Sequence, residues 1–283
     1  MELTYLHAVL LGIVEGLTEF LPVSSTGHLT ITEKLLGLRV DDPAVTAYTA
    51  IIQLGAIAAT LIYFAKDILR LLSAWVRGLG SATARENHDY RLAWAVIIGS
   101  VPVAVVGLLG KDLITGPLRS LWVVALALIL WSGVMWAAER RHDVLERRRM
   151  LRGEGGVTLR DGLVLGLVQC FSLIPGISRS GATISAGLFA GLDRVTATRL
   201  SFFMAIPALT AAGLYEMKDV DTAVLGLGQM LVGVVVAFVV AYAAIAWLLR
   251  FVAGHPITVF AWYRVTLGVL LIFALGAGWL TAA

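Results

Sequence analysis

A polytopic all-α membrane protein is the fold class that three observations predict. The 283-residue chain is 59% hydrophobic and only 14% charged, where a water-soluble domain carries about 25% charged residues. Mean hydropathy is +0.87, more apolar surface than one water-facing globule can hide. The apolar runs are also continuous, as in VLGLGQMLVGVVVAFVVAYAAIAWLL (224–249), whereas a spanning β-barrel needs alternating segments of about ten residues. Helices are therefore expected throughout. The net charge of +3 and the absence of a basic stripe with interleaved aromatics leave no reading as a nucleic-acid binder. Cys170 is the single cysteine, so neither an intrachain disulfide nor a Cys-based zinc site is available.

The opening MELTYLHAVLLG lacks a basic n-region and a small-residue cleavage site, so it reads as membrane sequence rather than a signal peptide. The segment 1–43 then has room for two short helices, broken near Pro22 and SSTG. Six further runs are long enough to cross a bilayer: about 44–64, 92–109, 120–138, 199–214, 224–249 and 259–280. Pro102 and Pro207 fall inside spans, where kinks are expected. The stretch 65–91 carries Lys66, Arg70, Arg77, Arg85 and Arg91, and 139–161 carries seven arginines including 147–149. The intervening loop 110–119 has only Lys111 and Arg119, and YEMKDVD (215–221) is net acidic. Positive charge collects on the cytoplasmic side, so 65–91 and 139–161 are expected there.

That orientation requires 1–43 to enter and leave on the outer side, and 162–198, broken at PGISRSG, to do the same on the inner side. Both read as re-entrant hairpins, which are tolerated at membrane depth only where protein or a wet cavity surrounds the irregular backbone. GIVEGLTEFLPVSSTG (12–27) and GLVQCFSLIPGISRSG (166–181) align without a gap, matching Gly12 with Gly166, Glu15 with Gln169, Ser24 with Ser178 and Gly27 with Gly181. The chain thus reads as one membrane domain, 1–283. An inverted-topology repeat is expected, with one half at about 1–138, the other at about 162–283, and the basic loop 139–161 between them. Both termini are expected outside.

The polar residues of the hairpins carry the functional reading. Glu15 and Glu19 share one face of a helix, and two buried carboxylates need protons, an arginine or a divalent cation. Oxygen ligands suit Mg²⁺ or Ca²⁺. The turn Ser24, Ser25, Thr26, Gly27 offers hydroxyls and backbone N–H groups to an anion. His28 is placed either to take a proton from a hydroxyl or to attack phosphorus itself. Taken singly, these residues are equally good helix caps and headgroup contacts. The second hairpin shifts the balance: Ser178, Arg179, Ser180 and Thr183 put a guanidinium at membrane depth with no acid on its own hairpin, and either the glutamates of the first hairpin or a phosphate can serve as its anionic partner. Brought tip to tip, the two hairpins form a kit for metal-assisted phosphoryl transfer. Gln53 is expected to line the pocket or bridge helices, and Tyr263 and Arg264 to act as anchors or interhelical contacts. His7, His88, His142 and His255, near edges or in loops, are assigned no chemistry.

EGLTEFLPVSSTGH and PGISRSGAT resemble the two signature motifs of the undecaprenyl-diphosphate phosphatase family of the bacitracin-resistance type (BacA/UppP), and IQLGAI and YRVTLG extend the likeness over essentially the whole chain. The resemblance implies a multi-pass enzyme of the bacterial inner membrane, often dimeric, with its pocket facing the periplasm. Such an enzyme hydrolyses undecaprenyl diphosphate to undecaprenyl phosphate and inorganic phosphate with a divalent cation, recycling the lipid carrier of peptidoglycan synthesis and conferring bacitracin resistance. It further implies Glu15 and Glu19 as the acidic, metal-binding pair, Ser25 and His28 as the nucleophile region, and Arg179 as the phosphate clamp. Ser24, Thr26, Gly27, Ser178, Ser180, Thr183 and Gln53 are the supporting substrate contacts. Ser25 activated by His28, with Glu19 orienting the imidazole, is the preferred assignment of roles. A lipid-phosphate flippase or transporter built on the same inverted repeat is the alternative from another class. The other membrane lipid-phosphatase type places a histidine six residues after its arginine. Here that position is Ser185, which sets that family aside.

Overall fold

The structure is a computed structural model that describes residues 3–40, 42–110, 113–114, 118, 120–216 and 226–281. Lys111, Arg119 and positions 217–221 of the acidic loop lie outside the described residues. Among the described residues there are eleven α-helices: α1 Tyr5–Thr18, α2 Ser25–Leu35, α3 Pro43–Tyr63, α4 Ala65–Gly80, α5 His88–Leu109, α6 Leu121–Arg147, α7 Leu159–Gln169, α8 Arg179–Phe189, α9 Arg194–Glu216, α10 Leu227–Val252 and α11 Thr258–Gly276. Among the described residues there is no strand, only the isolated bridge Arg152–Leu192. Six helices among the described residues are long and apolar enough to cross a membrane. They carry exposed leucines and valines such as Leu108, Leu109, Leu130 and Val235 on their outer faces, the composition that hydrocarbon rather than water favours.

The hairpins α1–α2 and α7–α8 point inward from opposite ends of the bundle. Tyr5 packs against Gly228 at the start of α10. Lys34 Nζ, near the end of α2, donates to the Thr281 carbonyl (2.7 Å) beyond α11. Both outer ends of the first hairpin, with the start of α10 and Thr281, therefore share one end of the bundle. The second hairpin is anchored at the other end. Arg152 forks onto Asp161 at the start of α7 (2.7 and 2.8 Å) and also donates to the carbonyl of Ala190, which follows α8 (2.7 Å).

The two hairpins match residue by residue at an offset of 154. Thr4 and His7 form a capping box on α1, and Thr158 and Asp161 form the same box at the equivalent positions of α7. α2 and α8 begin and end at equivalent residues, 25 and 179, 35 and 189. The packing is exchanged between halves: α1 lies on α10, while α7 lies on α5, and α6 packs against α11. Glycines permit the exchanged contacts. A Cβ at Gly166 would lie 2.2 Å from the Gly99 carbonyl oxygen, and one at the equivalent Gly12 2.8 Å from the Gly233 oxygen. Only helices without side chains at these points approach so closely.

Three features depart from the sequence reading. The stretch 65–91 is not simply a basic loop, because 65–80 forms α4. This helix is amphipathic, with Leu69, Leu72, Val76 and Leu79 exposed along one face. Helix α6 runs nine residues past the expected end at 138, to Arg147. Its charged extension is neutralised internally, since Arg194 binds Glu139 (2.8 Å) and Asp143 (3.0 Å). His142, expected near an edge, is consequently buried in that extension, 1% exposed.

Candidate active site at the meeting of the hairpin tips

Helices α1 and α2 are separated by residues 19–24, and α7 and α8 by 170–178. The last residue of each break is a serine with left-handed φ: Ser24 at φ 79°, ψ 97° and Ser178 at φ 77°, ψ 124°. Such conformations cost roughly 1–3 kcal/mol each and persist where surrounding contacts over-determine them. The contacts here are specific. Ser24 Oγ accepts from Gly27 N (3.4 Å) and Ser178 Oγ from Gly181 N (3.1 Å), so each caps the following helix. Across the tips, Gly176 N donates to Ser24 Oγ (3.1 Å) and Ser180 Oγ donates to the Leu21 carbonyl (2.9 Å).

Arg264 closes the joint from α11. Its guanidinium is wholly buried and donates to the carbonyls of Pro22 (3.3 Å) on one tip and Gly176 (2.8 Å) on the other. It also reaches Ser132 Oγ (3.3 Å) and the Ala127 carbonyl (3.5 Å). No carboxylate pairs with it among the described residues, so backbone dipoles carry the compensation. The expected interhelical role of Arg264 is thus a specific one, holding both tips.

At the centre of the joint lies Glu19, 7% exposed. Ser25 Oγ donates to its Oε2 at 2.5 Å. Arg179 Nη2 reaches its Oε1 at 3.3 Å and its main-chain oxygen at 3.4 Å. Arg179 is further fixed by the Ser201 carbonyl (3.1 Å), while its Nε meets no acceptor. Ser25 and Arg179 are the first residues of α2 and α8, so the meeting of the tips sets a hydroxyl opposite a guanidinium with Glu19 between them.

A cavity of about 130 Å³ opens beside Ser25, lined by Glu15, Thr26, Thr30, Glu33, Thr46, Thr49 and Gln53 together with Leu29, Val40 and Ala50. Glu15, Ser25, Thr26 and Gln53 are thus gathered as expected. Arg179 stands behind Glu19 rather than on the cavity wall. Ser24, Ser178 and Ser180 are consumed by caps and cross-tip bonds, and Gly27 is packed under Val124. Thr183 Oγ1 is bonded to Ser201 Oγ (2.6 Å). These five build the joint rather than line the cavity.

The expected order Ser25–His28–Glu19 needs correction. His28 Nδ1 lies 2.7 Å from the Ser24 carbonyl oxygen. A carbonyl can only accept, so Nδ1 carries the hydrogen, and in the neutral ring Nε2 accepts from Tyr263 OH (2.7 Å), whose ring stacks on the imidazole. The partner of the Ser25 hydroxyl is Glu19 itself. Sequence reasoning also passed over Glu33, 4% exposed, and Thr30, Thr46 and Thr49. Their signal was spacing: Ser25, Leu29 and Glu33 follow one face of α2, and Thr46, Thr49 and Gln53 one face of α3.

Among the described residues, two groups of acids and histidines are close enough to hold an ion: His88, Asp89 and Glu154, and Glu139, His142 and Asp143. Both lie at the arginine-rich end, and arginines 70, 199 and 194 already neutralise their carboxylates. Glu15 and Glu19 belong to neither group. Even so, the hairpin cavity offers only oxygen donors, with Glu15 and Glu33 both facing it. That donor set fits a hard divalent cation.

Comparison with known proteins places this geometry in context. The chain is 55% identical over 273 residues to a protein of Streptomyces avermitilis named undecaprenyl-diphosphatase 1, covering 96% of each chain. It is 56% identical over 275 residues to the protein of the same name in Streptomyces coelicolor, again covering 96% of each. A Cutibacterium acnes undecaprenyl-diphosphatase is 53% identical over 280 residues, with 95% of this chain and 96% of that one covered. The family model described as bacitracin resistance protein BacA matches residues 8–270, nearly the whole chain, and the protein belongs to that family.

Proposed function

We propose that this protein is a multi-pass membrane phosphatase that hydrolyses undecaprenyl diphosphate to undecaprenyl phosphate and inorganic phosphate. The observation that carries the reading is the single carboxylate of Glu19, which holds the Ser25 hydroxyl on one tip and the Arg179 guanidinium of the other. Substrate of this kind keeps its polyprenyl tail in the bilayer, so hydrolytic groups must sit at membrane depth, and two inward-pointing hairpins bring them there. The names of the relatives support hydrolysis and add nothing to the flippase alternative.

In the mechanism, Ser25 Oγ passes its proton to Glu19 Oε2 and attacks the terminal phosphorus. The bond from that phosphorus to the bridging oxygen breaks, undecaprenyl phosphate departs, and a phosphoserine remains. Glu19 hands that proton to the departing bridging oxygen, and its freed carboxylate then takes a proton from the water that attacks the phosphoserine. The serine oxygen recovers the proton as it leaves, releasing inorganic phosphate and restoring Ser25. Arg179 orients Glu19 through their ion pair, and its unpartnered Nε suits a phosphate oxygen. His28, clamped between Ser24 and Tyr263, fixes the start of α2. Glu15, with Glu33 and Glu19 nearby, would hold a divalent cation, Mg²⁺ or Ca²⁺; when bound, it supplies charge neutralisation for the diphosphate.

The hydroxyl-bearing cavity belongs to the first hairpin, at the end opposite the arginines. Arginine placement supports a cytoplasmic position for that arginine-rich end. The site then faces the periplasm of an inner membrane, with both termini on that side and the halves forming an inverted repeat. Reporter fusions to both termini test this: a cytoplasmic signal from either would overturn it. The homodimer implied by the family resemblance is tested by cross-linking in native membranes. For the activity, phosphate release from undecaprenyl diphosphate by purified protein is expected to stop on chelation and to return with added Mg²⁺ or Ca²⁺. Release that never occurs in any divalent ion would remove the proposal.

A further inference from the structure

A second and larger cavity, about 710 Å³, lies on the far side of the second hairpin, between α6, α7 and α8. It is separate from the Glu15 cavity and shares no residue with it. Its walls are Trp131, Val134, Val164, Val168, Phe171 and Phe189. Val164, Phe171 and Phe189 are exposed on the outer surface beside Leu163 and Leu167. The cavity therefore opens sideways, through an apolar rim, to the surface where hydrocarbon lies.

Its other end is basic. Arg152 and Arg160 stand there with Asp161. Arg152 holds Asp161 through both terminal nitrogens, cancelling that carboxylate, whereas Arg160 forms no ion pair among the described residues. One uncompensated guanidinium is left at the mouth. An apolar slot open to lipid, with a guanidinium free of ion pairs at its polar end, matches one class of molecule.

We infer that this groove binds an anionic phospholipid of the surrounding leaflet, with one acyl chain between Trp131, Val168 and Phe189 and the phosphate at Arg160. Basic pockets between transmembrane helices hold acidic headgroups by the same combination of charge and apolar burial. No residue of the hydrolytic site takes part in this groove.

The test uses the full chain, delipidated in detergent, with lipid binding followed by native mass spectrometry and by thermal shift. Phosphatidylglycerol is expected to give a saturable one-to-one adduct and raise the unfolding temperature, and phosphatidylcholine to bind more weakly. Arg160→Gln, at an exposed position, is expected to weaken phosphatidylglycerol binding about fivefold, the effect of one arginine near an anionic headgroup. Val164→Trp fills the slot from its exposed wall and is expected to abolish the adduct while the protein still folds. Equal binding of the two phospholipids would overturn the inference, as would binding untouched by both variants. Displacement of phosphatidylglycerol by a lower concentration of polyprenyl phosphate would also overturn it, marking the groove as a product site instead.

Discussion

Glu19 is the residue on which the chemistry turns, because one carboxylate serves two partners from different halves of the chain. Glu19→Gln keeps the shape but loses the proton acceptor, and it leaves Arg179, only 10% exposed, without a counter-charge. Phosphate release is expected to fall about 10²- to 10⁴-fold, the range for a general base, and a loss under tenfold would remove Glu19 from that role. Ser25→Ala is expected to cost as much, and the double variant little more, since residues acting as a unit are not additive. Tyr263→Phe removes the hydrogen bond at His28 Nε2 and is expected to lower release only a few-fold, near the effect of one neutral hydrogen bond of about 1 kcal/mol. If His28 is the attacking group instead, His28→Ala abolishes release and Ser25→Ala does not. The sequence names Glu15, Glu19, Ser25 and Arg179 as site residues because acids and a guanidinium at membrane depth demand partners. Composition does not distinguish Ser25, on the cavity wall, from Ser24, beneath it, because adjacent serines differ only in a backbone angle; the family resemblance alone assigns Ser25 to the nucleophile region and Ser24 to the supporting contacts. Glu33 escapes for a related reason: it sits beyond the motif, and only the register of α2 turns it into the same space.

Helix packing rests on residues that lack side chains. Gly166 meets Gly99 on α5, and Gly12 meets Gly233 on α10, so each hairpin's first helix is seated on a partner from the other half. Gly166→Ala would put a methyl group against the α5 backbone, with no side chain able to move aside. A loss of about 1–3 kcal/mol is expected from such overpacking, read as a lower unfolding temperature in detergent. Gly133→Ala, where nothing lies within 4 Å of the new carbon, is the control and should leave the transition unchanged. Hydropathy located all six long helices to within a few residues at most ends, since a bilayer fixes their minimum length. Two elements escaped it for physical reasons. Helix α4 mixes Lys66, Asp67, Arg70 and Arg77 with an apolar face, which reads as a basic loop until the 3.6-residue period is traced. The last turns of α6 are charged enough to look like a loop, and they stay helical because Arg194 and the Ile257 N–H satisfy Glu139. The hairpins were legible because proline and serine clusters interrupt apolar sequence at matched places.

The whole molecule is held at its arginine-rich end by ion pairs that join elements distant in sequence. Glu154 is the hub: Oε1 accepts from Arg70 on α4 (2.7 Å) and Oε2 from Arg199 on α9 (2.9 Å). Asp67 takes both arginines, at 3.2 and 2.8 Å. Asp89 pairs with Arg70 and lies 2.9 Å from His88. Burial pushes the Glu154 carboxyl up, but hydrogen bonds and charge from Arg199 and Arg70 outweigh it and hold the carboxyl below its ordinary value. A group depressed on folding favours the folded state above its unfolded value, and that contribution disappears as pH falls through the folded value. The layer should therefore be intact at neutral pH and weaken as pH drops below the ordinary glutamate value of about 4.3. Thermal unfolding in detergent is expected to shift downward over that acidic window. Glu154→Gln, which accepts hydrogen bonds without charge, should lower the neutral-pH transition and flatten its dependence on acid. High salt discriminates further: Glu154 is only partly shielded from solvent, so added salt should narrow the gap between the two proteins. An unchanged acid slope in Glu154→Gln would mean that the four elements are held by apolar packing alone. The ion pairs would then be a consequence of where positive charge is retained during insertion and not a fastening of the fold.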